Sequence, residues 1–217
     1  MTARYTLVLG SKNVSSWSLR PYLAMRATGA PFEEVLIRLH LPDSKAKILA
    51  RSPAGKVPVL EIRDGERTTV VWDSLAICET LAERHPEARL WPDDPATRAV
   101  ARAYAAEMHS GFAELRQTLS MDFARMRPTP ALPPAVEAQV ARILDAWSEA
   151  LARHPGGFLF GRLSIADCMY GPVVSRLRTY AIAVPPAVGA YCGRMMALPA
   201  MQDWMAAAKI EADAGWE

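Results

Sequence analysis

Ser15 and Ser16 follow a short run of β-forming residues, 5–10, and stand where a helical pattern opens. Hydroxyls at such a point do one of two things. They cap the free amides of the helix, or they lend a hydrogen bond to an anion held at its positive end. Asp73-Ser74 repeats the arrangement at a later helix start. Free amides there attract a carboxylate, or the aspartate is simply a cap. Between the two, Lys56-Val57-Pro58 places a proline at the head of a strand pattern, which suits an edge strand. Farther on, Tyr104, Met108, His109 and Phe112 recur at i, i+4, i+5 and i+8. Such a stripe lines a cleft or packs a core. His109, two residues from Glu107, is either an acid–base group or a structural histidine. Arg176 and Arg178 either draw in an anionic substrate or are surface charges.

Other chemistry is excluded. The three cysteines, Cys78, Cys168 and Cys192, are widely spaced with no C-x-x-C pair, so neither a disulfide framework nor a metal site is expected. Cys78 lies inside a helical pattern with an apolar face and reads as core. With 25 basic against 23 acidic residues and no basic run, the chain lacks the footprint of a nucleic-acid binder. No apolar run approaches the roughly 20 residues of a membrane helix. The apolar stretch at 5–9 is too short for a signal-peptide core and lacks a cleavage site, so a cytoplasmic location is expected. At 51% hydrophobic and 22% charged, the 217 residues have a globular balance, which rules out disorder and collagen-like repeats.

The elements that must position these residues fall into two groups. Strand patterns at 5–10, 32–39, 57–62 and 68–72 alternate with helical ones at 18–28, 44–49 and 74–85. Pro21 is expected in the first turn of its helix, and Gly29 just past its end. The first two strands need a crossover and are therefore parallel. Asp64-Gly65 is a tight-turn signal that makes the last two antiparallel. The result is a mixed four-stranded sheet with helices on both faces, the plan of a thioredoxin-like domain. Residues 86–95 carry three prolines and read as a linker. Beyond it the pattern is helical: 96–122, 135–153, a helix opened by Ser164-Ile165-Ala166-Asp167, then 188–197 and 201–210. Ser164 and Asp167 have the spacing of a capping box.

An α/β thioredoxin-like domain (1–85), a linker and an all-α domain (96–217) together resemble the cytosolic glutathione transferase family. The likeness extends over nearly the whole chain. It rests on the order and spacing of Ser15-Ser16-Trp17-Ser18-Leu19-Arg20, Lys56-Val57-Pro58-Val59-Leu60, Asp73-Ser74-Leu75-Ala76-Ile77 and the Ser164–Asp167 box. The resemblance implies glutathione as co-substrate and a homodimer. It implies a cis Val57–Pro58 bond, with the Val57 backbone pairing with the cysteinyl unit of the tripeptide. Ser74 would hold the γ-glutamyl carboxylate and Asp73 the amino group. Lys56, or less directly His40 and Lys45, would reach the glycine carboxylate. Ser15, with Ser16 beside it, would lower the thiol pKa, as in zeta-type members.

Those members carry Ser-Ser-Cys-Ser-Trp-Arg, whereas this chain has Trp17 in place of the cysteine. Thiol-transfer and dehalogenation chemistry is thereby disfavoured, and Trp17 is expected to shape the pocket wall. The leading activity is attack of the glutathione thiolate on an electrophilic, hydrophobic second substrate lying against Tyr104, Met108, His109 and Phe112. The alternatives are a glutathione-dependent isomerase of the maleylacetoacetate type and a non-catalytic binding member of the same fold.

Overall fold

The computed structural model describes residues 3–216. Its first part runs β1 (Arg4–Gly10), α1 (Ser16–Thr28), β2 (Phe32–Ile37), α2 (Ser44–Leu49), β3 (Val59–Asp64), β4 (Arg67–Trp72) and α3 (Ser74–Arg84). The sheet order is β2-β1-β3-β4, with β1 and β2 parallel and the other two pairings antiparallel. Alternation along β1 sorts its side chains. Leu7 and Leu9 join Leu60 and Ile62 under α1 and α3, while Val8 joins Ile37, Ile48 and Val59 on the face covered by α2.

Several expected boundaries move, each for a local reason. β2 stops at Ile37 because the Leu39 amide turns to the Ser11 hydroxyl, 3.0 Å away. β3 begins after Pro58, which has no amide to give a ladder. α1 opens at Ser16, two residues earlier than its apolar spacing marks, so Pro21 lies beyond the first turn. There it removes the amide that would bond the Trp17 carbonyl. The C-terminal end is as expected: Gly29 caps it at φ 70°.

The second part holds α4 (Pro95–Ser110), α5 (Ala113–Thr118), α6 (Pro134–Arg153), α7 (Ile165–Thr179), α8 (Pro186–Met196) and α9 (Pro199–Asp213). The single long helix expected over 96–122 is broken. Gly111 leaves the helix with its Cα so close to the Glu107 carbonyl that a Cβ would sit 2.8 Å from the oxygen. Phe112 follows at φ 58°, a left-handed turn, and is buried. α7 runs through the centre. It meets α1 where Gly171 faces Leu23, leaving no room for a Cβ. One apolar core therefore joins the sheet's helices to the helical part. No helix among the described residues is long and apolar enough to cross a membrane.

Candidate functional site

The loop from β1 to α1 is tied down from both parts of the chain. The Asn13 amide donates to Glu211 Oε2 (2.9 Å), its side-chain nitrogen to Asp122 Oδ1 (3.0 Å), and its Oδ1 accepts from the Ala124 amide (2.9 Å). Two residues on, Ser15 occupies the N-cap of α1. Its hydroxyl caps no amide and instead meets Ser18 Oγ at 2.8 Å. Ser16 is equally enclosed, and its hydroxyl makes no hydrogen bond among the described residues. No acidic residue lies in the first turn of α1, so nothing on the helix offsets its positive end.

Trp17, the next residue, has two guanidinium groups against its ring. Arg20 Cζ is 4.1 Å and Arg116 Cζ 5.1 Å from its ring centre, and His109 meets it edge-on at 5.4 Å. Arg20 is fully enclosed, and none of its nitrogens has a hydrogen-bond partner among the described residues. Burial first, then the charges of Arg176 and Arg116, bring its pKa down to about 9, with Cys78 and Asp73 opposing. Arg176 is buried too, donating to the Leu119 carbonyl at 2.7 Å, and burial followed by Arg116 lowers it to about 10. Arg178 lies on the surface. The two arginines left open by the sequence thus have opposite settings. Burial pushes the Cys78 thiol up, as befits a core residue.

α3 starts beside this cluster. Asp73 sits at φ 76°, ψ 134°, a conformation rare outside glycine and frequent at functional sites. One carboxylate oxygen accepts from the Leu75 and Ala76 amides (2.9 and 3.2 Å), and the other lies 3.3 Å from His109 Nε2. The adjacent Ser74 Oγ is buried and has no partner among the described residues. The Val57–Pro58 bond is cis. Val57 is half-buried and Lys56 exposed, while Lys45 Nζ is spent on the Gly55 carbonyl at 3.1 Å and His40 is exposed.

The helical stripe does not act as a unit. His109 meets Trp17 of α1 and Asp73 at the head of α3. Met108 is fully enclosed in the core. Tyr104 donates to the Ala146 carbonyl (2.9 Å) and lines a separate cavity of about 350 Å³ with Arg142, Glu149 and Phe160. Phe112 is carried off the stripe by the break at Gly111. The sequence did not bring Arg20 and Arg116 together at Trp17. Arg20 stood in the first motif without a role, and Arg116 has no local signal, because only folding brings α5 over Trp17.

Comparison with known proteins shows the family. A model described as the glutathione S-transferase N-terminal domain matches residues 14–84, and one described as its C-terminal domain matches 98–207. The chain belongs to the glutathione S-transferase family. Maleylacetoacetate isomerase of Rattus norvegicus is 30% identical over 183 residues, covering 82% of each chain. Glutathione S-transferase GstB of Escherichia coli (strain K12) is 29% identical over 172 residues, covering 76% of this transferase and 82% of GstB. A crystal structure of maleylacetoacetate isomerase from Anaeromyxobacter dehalogenans 2CP-1, with bound GSH in the active site, superposes with a TM-score of 0.69. It is 26% identical and covers 94% of this chain and 95% of that one. The thioredoxin-like sheet followed by helices is the family's fold, as the motifs implied.

Proposed function

We propose that this glutathione transferase binds glutathione across the N-termini of α1 and α3, ionises its thiol beside Ser15 and presents the thiolate to an electrophilic carbon. In this reading residues 1–85 hold the tripeptide, 86–95 link, and 96–217 shape the second-substrate site. The Val57 backbone pairs with the cysteinyl unit. Ser74 receives the γ-glutamyl carboxylate, Asp73 the amino group and Lys56 the glycine carboxylate. Trp17 and Pro58 form walls. The observation that carries the reading is the positive end of α1: its first turn holds no acid, and the nitrogens of the enclosed Arg20 have no hydrogen-bond partner among the described residues. An anion placed there is stabilised by groups already in position, so catalysis is orientation and electrostatics rather than covalent work by a side chain.

The test is a conjugation assay with glutathione and an aromatic halide, with Ser15→Ala alongside. If the Ser15 hydroxyl is worth about 1.4 kcal/mol to the thiolate, the variant raises the bound thiol's pKa by about one unit. Below both values that is about tenfold less thiolate and an equal fall in turnover. The thiolate absorbance gives the shift directly, and an unmoved titration overturns the serine assignment.

A second reading has its own support. Arg116 shares the Trp17 ring with Arg20, and its charge bears on both Arg20 and Arg176, which favours a second substrate bearing a carboxylate. Such a substrate with a cis double bond would suit thiolate addition and release, an isomerisation. Running the assay on cis-dienoates as well as halides separates the two.

Two further properties belong to this proposal. The three cysteines are free thiols, which suits a reducing cytoplasm. Val70 and Trp72 on edge strand β4 and Val100 on α4 are exposed apolar side chains, which supports a homodimer. Light scattering at micromolar concentration is expected to give twice 23.8 kDa, and a mass near 23.8 kDa rejects the dimer.

A further inference from the structure

Asn13 is buried, and each of its four polar groups bonds to the helical part of the chain. The amide donates to Glu211 of α9, and the carbonyl accepts from the Phe123 amide at 3.0 Å. The side chain bridges Asp122 and the Ala124 amide. Those two neighbours make opposite demands. A carboxylate takes a donor and an N–H takes an acceptor, and a carboxamide offers one of each. Asp122 is fixed in turn, since Arg127 Nε donates to its other oxygen at 2.6 Å and Thr179 Oγ1 to its carbonyl at 3.0 Å. One residue before Asn13, the Lys12 carbonyl accepts from Trp204 Nε1 of α9 at 2.8 Å. The loop is also held at Ser11, whose carbonyl accepts from the Ser15 amide at 2.8 Å. Asn13 lies two residues before Ser15, the N-cap of α1, so the helical part fixes the chain just where that helix begins.

We propose that Asn13 is a positioning residue for thiol activation: locked onto Asp122, Ala124 and Glu211, it holds the positive end of α1 against the glutathione sulfur. Fixed dipoles stabilise an anion only while they stay aimed at it. The field of a helix end fades within one turn, so a start of α1 that shifts or fluctuates holds less thiolate. The inference rests on the reading that the thiolate lies at the start of α1. It gives the helical part a share in ionising the thiol, beside its share in the second-substrate site.

The experiment is a thiolate titration of bound glutathione in the full chain, for the parent protein and Asn13→Ala. The variant is expected to raise the pKa of the bound thiol by about half a unit, or about threefold less thiolate below both values. Glutathione affinity at such a pH should stay within about twofold, since the carboxylates are held by other groups. The titration reads only folded molecules with ligand bound, so a loss of stability alone does not move it. An Asn13→Ala titration that matches the parent overturns the inference and leaves the thiol reading intact. A bound thiol that titrates in the parent as free glutathione does removes both. If Asn13→Ala does not fold, Asn13→Asp carries the test, because it keeps an acceptor for Ala124 and loses the donor to Asp122. Adding Asp122→Asn restores that bond with the roles reversed, and the exchanged pair is expected to titrate as the parent does. A shift caused merely by the new charge at position 13 would persist in the pair, and that outcome overturns the proposal.

Discussion

Asp167→Ala is expected to cost about 3–5 kcal/mol of stability, against about 5–15 for a whole domain. Asp167 is completely buried at the start of α7. One carboxylate oxygen accepts from the Leu159 amide at 3.0 Å, and the other from the Ser164 amide and hydroxyl, both at 2.8 Å. Removing it leaves two buried amides without acceptors, each costing about 1–3 kcal/mol, and frees the central helix from its cap. Denaturant unfolding at fixed protein concentration measures the loss, and a change below about 1 kcal/mol would show the box to be dispensable. The pH dependence has a definite sign. Burial outweighs those hydrogen bonds and raises the Asp167 pKa to about 6, against about 3.9 in an unfolded chain. Between these values the folded chain keeps a proton that the unfolded chain has released. Stability from this group is therefore greatest below about pH 4 and falls as pH rises through about 6. The alanine variant lacks that slope, so the gap between the two proteins is widest in acid.

Much of this was legible because it is local. Gly29, Asp64-Gly65, Ser164-x-x-Asp167 and the apolar periods of α3 and α6 each encode a cap, a turn or a face in neighbouring residues. The sheet order follows from a crossover and a hairpin. What escaped depends on contacts between distant residues. The break after Ser110 hangs on how closely Gly111 approaches the Glu107 carbonyl, and no periodicity carries that distance. The stripe from Tyr104 to Phe112 fits core and cleft equally. The fold sends Met108 to the core and Tyr104 to another cavity, and leaves His109 against Trp17 and Asp73. Asn13 and Glu211 meet across 198 residues of sequence. Arg20 looked like any helical arginine until Arg116 and Arg176 were seen around it.

Ser74→Ala is expected to weaken glutathione binding by about 1–3 kcal/mol, or about 5- to 150-fold, while leaving the free protein's stability nearly unchanged. The asymmetry comes from the state of the hydroxyl. Ser74 Oγ is buried without a hydrogen-bond partner, so deleting it from the ligand-free chain breaks no bond. Asp73 keeps the cap of α3, because its Oδ1 already serves the Leu75 and Ala76 amides. In the proposed complex the same hydroxyl would lie at the positive end of α3, where the γ-glutamyl carboxylate would accept from it with charge assistance. Calorimetric titration of both proteins gives the affinity ratio, and thermal unfolding without ligand gives the control. Weaker binding with an unmoved Tm places the hydroxyl on the ligand. An equal loss in both marks Ser74 as a structural residue, and unchanged affinity moves the γ-glutamyl carboxylate off this helix end. The change should leave the pKa of the bound thiol in place, since Ser15 and the start of α1 are untouched. That separates holding the tripeptide from activating it.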